Sequence, residues 1–203
     1  MGGRLIGKEV DMAPRPKPRP VRLEIASPED APQLAIVASL AFFDDRRHMP
    51  EDVRAAIEAA DDPSKGPPHT SHAWLRRVIA QVNDDSTPST YYKVILGEDR
   101  VVGGLLVIER PDVGDGEWRC EGIYVDPDYQ NRGIGKEIVR RMFRLHPDAA
   151  RWSLDTPDYA TGNHHFYERM GFTHFRTSGG DPSIPFAFYD FEDRLLQEER
   201  LAL

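Results

Sequence analysis

The sequence predicts a mixed α/β (α+β) domain in which a central, largely antiparallel sheet is flanked by helices. Stretches of alternating hydrophobicity, typical of strands, and apolar residues spaced three and four apart, typical of helices, follow one another along the chain. Their order is strand, helices, three strands, helix, strand, helix and two strands. Short turns between several of the strands favour antiparallel pairing, and this combination predicts the mixed architecture.

The first part of the chain supplies one strand and three helices. The alternating run VRLEIA at 21–26 predicts the strand. SPED at 27–30 then gives a Ser cap, a Pro at the first helical position and an acid at the third, which indicates a helix start. Apolar residues at helical spacing continue this helix and predict two more. They are Leu34, Val37, Ala38 and Ala41, then Val53, Ala56, Ile57 and Ala60, then Trp74, Leu75, Val78, Ile79 and Val82.

The second part supplies most of the sheet. YYKVIL at 91–96 and RVVGGLLVIER at 100–110 flank Gly-Glu-Asp, which is a hairpin signature. RCEGIYVDP at 119–127 is a further strand that proline ends, and the helix after it turns one apolar stripe inward. The remaining elements are a strand at 151–156, a helix at 163–170 and two strands at 172–177 and 184–192.

Composition limits the kind of protein this can be. With 203 residues, 39% of them hydrophobic, the chain can bury one substantial core, and we expect one domain over 21–203. Residues 1–20 contain PRPKPRP and five basic side chains, so we expect an extended or disordered arm there. A net charge of −8 argues against nucleic-acid binding, and no apolar run is long enough to span a membrane.

Cysteine and histidine usage gives little sign of a metal site. The single cysteine, Cys120, excludes an internal disulfide and a Cys-based zinc cage. His69 and His72 lie in a Pro-rich segment without further ligands, and His164 and His165 are expected on a helix surface. The first residues lack the apolar core of a signal peptide. We therefore expect a cytoplasmic protein that holds no metal.

The stretch DPDYQNRGIGKE at 126–137 places two glycines where a helix should begin. The N–H groups of a first helical turn have no intrahelical partner and lie at the positive end of the helix dipole. Glycines there let a phosphate or pyrophosphate approach the main chain, and Arg132 and Lys136 add positive charge. The same glycines would suit an ordinary turn that needs a positive φ. The two familiar phosphate loops do not fit, since neither Gly-Lys-Ser/Thr nor a third glycine follows in register.

With its flanks, this stretch resembles the acyl-CoA loop of the GNAT acetyltransferase superfamily. The family pattern is Q/R-x-x-G-x-G/A after a strand that ends in V-x-P. Gln130, Gly133 and Gly135 match it, after Val125 and Pro127. One strand later, NHHFYERMGF resembles the second family signature, an Asn and a Tyr on a helix that ends in Gly-Phe. The resemblance is strongest over 119–175 and extends in element order over roughly 21–193.

The resemblance implies an enzyme that transfers the acetyl group of acetyl-CoA directly to a primary amine, without an acyl-enzyme. It places the pyrophosphate on main-chain N–H groups of the loop and the pantetheine arm along the preceding strand, like an added strand. The implied acetyl-CoA contacts are Ile123, Tyr124 and Val125, then Gln130, Asn131, Arg132, Gly133, Ile134, Gly135 and Lys136, and finally Asn163 and Phe166.

The resemblance also implies two catalytic side chains. Tyr167, four residues after Asn163 and so on the same helix face, would donate a proton to the leaving CoA thiolate. Glu121 matches a strand position where many relatives carry a carboxylate that takes the proton of the amine.

The surroundings of Glu121 allow two interpretations. Alternation predicts that Glu121, Ile123 and Val125 point to one face and Cys120 to the other, so that Glu121 lines an acceptor cleft. An ion pair with Arg119 at a strand edge is the other interpretation. His165, Asp155 and Tyr159 are further candidates for the edge of an acceptor site.

Two different functions also fit the residues. A non-catalytic acyl-CoA-binding module would regulate, and it predicts ligand binding without turnover. A phosphate-binding protein would hold a nucleotide on the same turn, and it predicts stabilisation by ATP or GTP and not by CoA. The acceptor, the preferred acyl length and the choice between a monomer and a homodimer stay open.

Overall fold

The computed structural model describes residues 20–47, 49–60, 71–83, 89–179, 187–193, 195 and 197–202. The predicted basic arm therefore lies outside the described residues except for its last position, Pro20, and His69 lies outside them as well. Within these ranges the elements follow the predicted order, with one additional helix after the last strand.

In the described part of the chain, seven strands form one sheet. Every neighbouring pair is antiparallel except β4 and β5, which are parallel, so the predicted mixed and largely antiparallel sheet is confirmed. The order across the sheet is β1-β2-β3-β4-β5-β7-β6. The strands are β1 Val21–Ile25, β2 Ser89–Leu96, β3 Arg100–Glu109, β4 Glu117–Val125, β5 Arg151–Pro157, β6 Phe172–Ser178 and β7 Phe188–Asp193.

Helices cover both faces of the sheet. They are α1 Ala31–Arg46, α2 Glu51–Ala60, α3 His72–Val82, α4 Ile134–Leu145, α5 Thr161–Arg169 and α6 Gln197–Ala202. The predicted helix start is present, since the Ser27 N–H donates to Asp30 Oδ2 at 2.8 Å in a short 3₁₀ turn that leads into α1. None of the described helices combines the length and the apolar character needed to cross a bilayer.

The hydrophobic core has one layer on each side of the sheet. On one side, which we call the α4 face, apolar side chains of α4 and α5 pack against the strands. The helices contribute Ile138, Met142 and Tyr167, and the strands contribute Trp152 and Phe191. On the other side, the α1 face, α1 and α3 contribute Leu34, Ala38, Leu75 and Ile79. The apolar stripes read from the sequence are therefore the buried faces of these helices.

The C-terminal end of α4 is buried among aromatic side chains. Its cap, His146, places Nε2 3.1 Å from the hydroxyl oxygen of Tyr92, and its ring centre lies 4.3 Å from that of Trp118. Trp152 packs edge-on to the same imidazole, with ring centres 5.7 Å apart. Burial lowers the pKa of His146, and the nearby Asp148 partly opposes that shift. The imidazole is therefore held neutral inside the core.

Helix α6, which the sequence analysis did not predict, is attached through one arginine. Arg200 donates to the carbonyl oxygens of Ala149 and Ala150, each at 2.7 Å, and to Asp193 Oδ1 at 2.8 Å. These contacts join α6 to the end of β7 and to the segment that precedes β5. Such a long-range ion pair has no periodic signature in the sequence.

Candidate functional site

The two parallel strands separate soon after they meet. β4 and β5 pair only over Glu117–Arg119 and Arg151–Ser153. Beyond this point the remaining part of β4, Gly122–Val125, pairs with β3 alone among the described strands. An opening therefore begins between β4 and β5, bounded by a strand edge that can still accept and donate main-chain hydrogen bonds.

A tight turn connects the end of β4 to α4. Asp126 Oδ1 accepts a hydrogen bond from the Asp128 N–H at 3.0 Å and caps a single 3₁₀ turn over Pro127–Tyr129. The Gln130 side chain then reaches back and donates to the carbonyl oxygen of Val125 at 3.0 Å. The Gln130 amide, which the resemblance assigned to acetyl-CoA, thus fixes the shape of the turn.

The backbone of the turn is left-handed at two positions. Asn131 has φ +57° and Gly133, the N-cap of α4, has φ +82°. Asparagine and glycine are the residues that adopt this conformation at least cost. A Cβ at Gly133 would meet no heavy atom within 4 Å. Glycine is thus required here by the backbone angle and not by crowding within the protein.

The turn presents a run of main-chain donors. The first hydrogen bond of α4 runs from the Glu137 N–H to the Gly133 carbonyl at 3.0 Å. Among the described residues, no backbone carbonyl accepts a hydrogen bond from the N–H groups of residues 131–136. These donors lie at the positive end of the α4 dipole, which makes the turn suitable for an anion.

Positive side chains surround this turn. Arg132 and Arg100 both lie over the ring of Tyr129, with guanidinium carbons 5.6 and 5.7 Å from its centre. Arg100 also donates to the Tyr129 hydroxyl at 2.6 Å, and Lys136 is exposed on the first turn of α4. Arg132 and Lys136 are part of the turn motif and were predicted from it, whereas Arg100 comes from the start of β3, far away in the chain, and was not predicted.

Phe166 of α5 lies against the second glycine of the turn. A Cβ at Gly135 would stand 3.2 Å from the Phe166 ring carbons Cε2 and Cζ. Gly135 therefore lets α5 approach the start of α4 closely, which is a packing reason in addition to any ligand. The contact joins the two sequence motifs in space.

Asn163 and Tyr167 take different positions on α5. Asn163 Nδ2 donates to Thr156 Oγ1 of β5 at 3.2 Å, which ties the first turn of the helix to the sheet. Tyr167 is 7% exposed, and its ring packs near those of Phe166, Phe172 and Phe191 at centre distances of 5.3–5.9 Å. The helix face that carries both residues is the one turned to the core.

A β-bulge changes the prediction for Glu121. Leu106 opposes Gly122 and Val107 opposes Cys120, so Glu121 is an extra residue in β4. The bulge shifts the alternation, and Cys120, Ile123 and Val125 all belong to the core layer of the α4 face. The prediction that Glu121 shares a face with Ile123 and Val125 is wrong.

Glu121 instead lies beside a half-buried arginine. Its Oε2 accepts from Arg119 Nε at 2.6 Å, so the ion pair considered in the sequence analysis is present. Arg119 also forms an ion pair with Asp155 of β5, across the point where β4 and β5 separate. Burial raises the pKa of Asp155, and the positive charge of Arg119 partly offsets that effect.

The three β4 residues expected along the pantetheine arm differ in what they can offer. The Tyr124 side chain is buried on the α1 face, where its hydroxyl lies 3.0 Å from that of Tyr91 and fills the space next to Gly104. Burial raises the pKa of Tyr124 well above its ordinary value. Ile123 and Val125 face the other core layer. The Tyr124 and Val125 side chains are therefore buried in the two core layers, and the Ile123 side chain is partly buried.

Cys120, His164 and His165 differ in burial. Cys120 is buried, and burial raises its pKa to about 12, which disfavours a thiolate nucleophile. His164 is also buried, with its ring stacked 4.3 Å from that of Tyr189, so its predicted surface position is wrong, while His165 is exposed as expected. Among the described residues, no three His, Cys, Asp or Glu side chains are grouped as metal ligands would be.

Comparison with known proteins gives one family and one fold. Residues 54–172 match the family model described as the acetyltransferase (GNAT) family. No curated protein sequence matches the chain. An acetyltransferase from Thermus thermophilus has a similar structure, with a TM-score of 0.65 and 16% identity over 86% of this chain and 97% of that chain.

Two further solved structures are similar. One is the PaiA N-acetyltransferase of Thermoplasma acidophilum in complex with coenzyme A, at a TM-score of 0.64 and 14% identity over 87% of this chain and 99% of that one. The other is a chimera of the spermidine N-acetyltransferase SpeG from Vibrio cholerae and hSSAT. It has a TM-score of 0.61 and 14% identity over 90% of this chain and 99% of that one. At these identities the likeness establishes the fold.

Proposed function

Because the chain belongs to the acetyltransferase (GNAT) family, we propose that it transfers the acetyl group of acetyl-CoA directly to a primary amine. The observation that carries this proposal is the run of main-chain N–H groups over residues 131–136, next to the opening between β4 and β5. A pyrophosphate on these donors directs the rest of the cofactor along the free edge of β4.

Different residues around the opening bind different parts of acetyl-CoA. The N–H groups of Asn131, Arg132, Gly133, Ile134, Gly135 and Lys136 bind the pyrophosphate, and the main chain of Ile123, Tyr124 and Val125 pairs with pantetheine. Gln130 and Asn163 hold the turn and α5 in place through their hydrogen bonds. The Phe166 ring of α5 packs against Gly135 of the turn, next to the proposed pyrophosphate site.

The reaction needs two proton transfers. The acceptor arrives as an ammonium and gives its proton to a carboxylate, with Glu121 in that role. The amine nitrogen then attacks the thioester carbonyl carbon, a C–N bond forms and the C–S bond breaks. The Tyr167 hydroxyl donates its proton to the leaving thiolate. A phenol with a pKa near 10 can protonate a thiolate with only modest tuning of either group.

The acceptor class and the location are further parts of the proposal. A primary amine of a small molecule, a peptide or a protein fits the acidic overall charge of −8. The single cysteine, buried in the core, fits a reducing compartment such as the cytoplasm.

An assay of thiol release with acetyl-CoA tests the proposal. The acceptor panel contains a polyamine, a small polar amine, a peptide with a free N-terminus and a lysine peptide blocked at its N-terminus. We expect thiol release that depends on at least one of them, and stabilisation against heat by CoA but not by ATP. Stabilisation by CoA without thiol release from any amine would contradict the enzyme and favour a regulatory module.

Substitution of Tyr167 by Phe tests the proposed acid. It removes one hydroxyl from a packed ring, so we expect kcat to fall by about tenfold or more while the CoA Kd stays within about twofold. Tyr189→Phe is the control, since Tyr189 is a partly buried tyrosine that packs against the same core layer as the buried Tyr167. Equal losses in both variants, or a parallel loss of CoA affinity in Tyr167→Phe, would show that Tyr167 is structural.

A further inference from the structure

Two rows of charged residues cross from β4 to β5 on the α1 face of the sheet. In the first row, Arg151 of β5 donates to both carboxylate oxygens of Glu117 at 2.9–3.0 Å and reaches Glu192 of β7 at 3.4 Å. In the second row, Arg119 of β4 bridges Glu121 of its own strand and Asp155 of β5. Each row has two carboxylates and one guanidinium.

The rows differ in their position relative to the opening. Glu117 and Arg151 are register partners in the paired part of β4 and β5. Arg119 belongs to the last register pair, and both of its carboxylate partners lie beyond it, Glu121 on the bulge and Asp155 past Ser153. Asp155 and Glu121 thus approach the opening from its two sides, with side chains 27% and 41% exposed.

We propose that Arg119 is a positioning residue for the acceptor: it holds the carboxylates of Glu121 and Asp155 together at the start of the opening, where they bind the acceptor ammonium and take its proton. This inference rests on the proposed acetyl transfer. The group keeps one negative charge in excess, and the two carboxylates come from strands that otherwise diverge. Without the guanidinium, like-charge repulsion would separate them.

Other charged groups face the same carboxylates. Arg110, which follows β3, interacts with Glu121. Asp190 of β7 is the register partner of Asp155, and it is paired with Arg176 of β6 at 2.8 Å. These neighbours act on Asp155 and Glu121 whether or not Arg119 is present, so removal of Arg119 leaves the sum of the remaining charges more negative.

Removal of Arg119 changes the pH dependence in a definite direction. The charge of Arg119 lowers the pKa of Asp155, so its loss raises that pKa and keeps the carboxylate protonated to a higher pH. We expect the acid limb of kcat/KM for the amine to move up by about one pH unit in Arg119→Gln. The KM for the amine rises by about tenfold or more, while the KM for acetyl-CoA is unchanged.

The matched control is Arg151→Gln, which removes the guanidinium of the first row. Both variants lose one ion-pair bridge between β4 and β5, so similar shifts in the urea midpoint show that stability is equally affected. We expect the Arg151→Gln pH profile to superimpose on that of the unchanged protein. In Arg119→Lys the acid limb returns towards its original position, because the charge is restored, while KM for the amine recovers only in part.

Three results would overturn the inference. The first is a pH profile of Arg119→Gln that matches that of Arg151→Gln. The second is a rise in KM for acetyl-CoA as large as that for the amine, which indicates general damage. The third is no thiol release by the unchanged protein with any amine, which removes the proposed function and this inference together; the first two results leave acetyl transfer intact.

Discussion

The two ends of helix α4 have opposite surroundings. At the N-terminal end, Gly133 and its neighbours present main-chain donors for which the described residues supply no backbone acceptor. At the C-terminal end, His146 is buried between Tyr92 and two tryptophans, with its pKa lowered by burial. One end is built from backbone groups that remain available, the other from side chains that pack against each other.

Under the proposed function, this difference assigns CoA binding to one end of α4 and much of its stability to the other. Most helices satisfy their first N–H groups with a side-chain cap, and α4 begins at a glycine that provides none. The stability not gained there is supplied by the packed C-terminal end and by the apolar stripe between the ends. Substitutions at the N-terminal end should therefore change mainly CoA affinity, and substitutions at the C-terminal end should change mainly the free energy of unfolding.

The largest effect is expected for Gly133→Val. Valine is strained at φ +82°, so we expect a loss of about 1 to 2 kcal/mol in the free energy of unfolding, with the fold retained by circular dichroism. The turn can no longer align its N–H groups, and CoA affinity should fall by about a hundredfold, measured by calorimetry.

Gly133→Asn is the control for this substitution. Asparagine tolerates the left-handed conformation, and its Cβ enters open space, so stability should change by no more than about 0.5 kcal/mol and affinity by less than in the valine variant. CoA binding by Gly133→Val within about threefold of the unchanged protein would show that the pyrophosphate does not lie on this turn.

An intermediate effect, on stability alone, is expected for His146→Ala. The substitution empties space between three aromatic rings and removes the contact with Tyr92, which should cost about 2 to 3 kcal/mol in urea unfolding at neutral pH. The CoA Kd should stay within about twofold, since the proposed CoA site is at the other end of the helix. A large loss of CoA affinity would show that the two ends of α4 are energetically coupled, which contradicts their separation.

The contribution of His146 should also depend on pH. The folded protein holds the imidazole neutral, while the unfolded chain binds a proton near pH 6.5. The stabilisation is therefore complete above about pH 6.5 and is lost as the pH falls from there towards the lower pKa of the folded state. The stability difference between the unchanged protein and His146→Ala should therefore shrink as the pH falls below about 6.5, measured by urea unfolding at a series of pH values.

The smallest effect is expected for Gly135→Ala. The new Cβ would stand 3.2 Å from the Phe166 ring, so α5 has to shift by a few tenths of an ångström, at a cost of about 1 kcal/mol. CoA affinity should fall by only a few fold. Phe166→Leu in the same chain should remove the crowding, so that the double variant is more stable than the sum of the two single changes predicts. Strict additivity would show that the two residues are not coupled.

The sequence predicted features that depend on local spacing. The apolar stripe of α4, the order of strands and helices along the chain and the turn around Gly133 and Gly135 each depend on a few neighbouring residues, and the structure places them as expected. The family resemblance rests on the same short motifs. Local spacing therefore sufficed for the order of the elements and for the position of the turn, and the binding role of the turn stays a prediction.

Features that depend on register or on distant partners were not predicted. The bulge at Glu121 arises from the pairing of β3 with β4, and it reverses an alternation that looks regular in the sequence. Arg100 reaches Tyr129, and Arg119 reaches Asp155, only because the sheet brings distant strands together. His164 became buried because Tyr189 of β7 covers it. None of these contacts has a periodic signal.

The short pairing of β4 with β5 has a mechanical consequence. Between the strands β1–β4 and the strands β5–β7, the main chain of the sheet is joined by only three residue pairs of β4 and β5, with the charged rows on one side and the hydrophobic core of the α4 face on the other. A pantetheine arm inserted between these two sets of strands would add the hydrogen bonds that this junction lacks. If the proposed function holds, bound coenzyme would therefore strengthen this junction, and its release would remove those hydrogen bonds again.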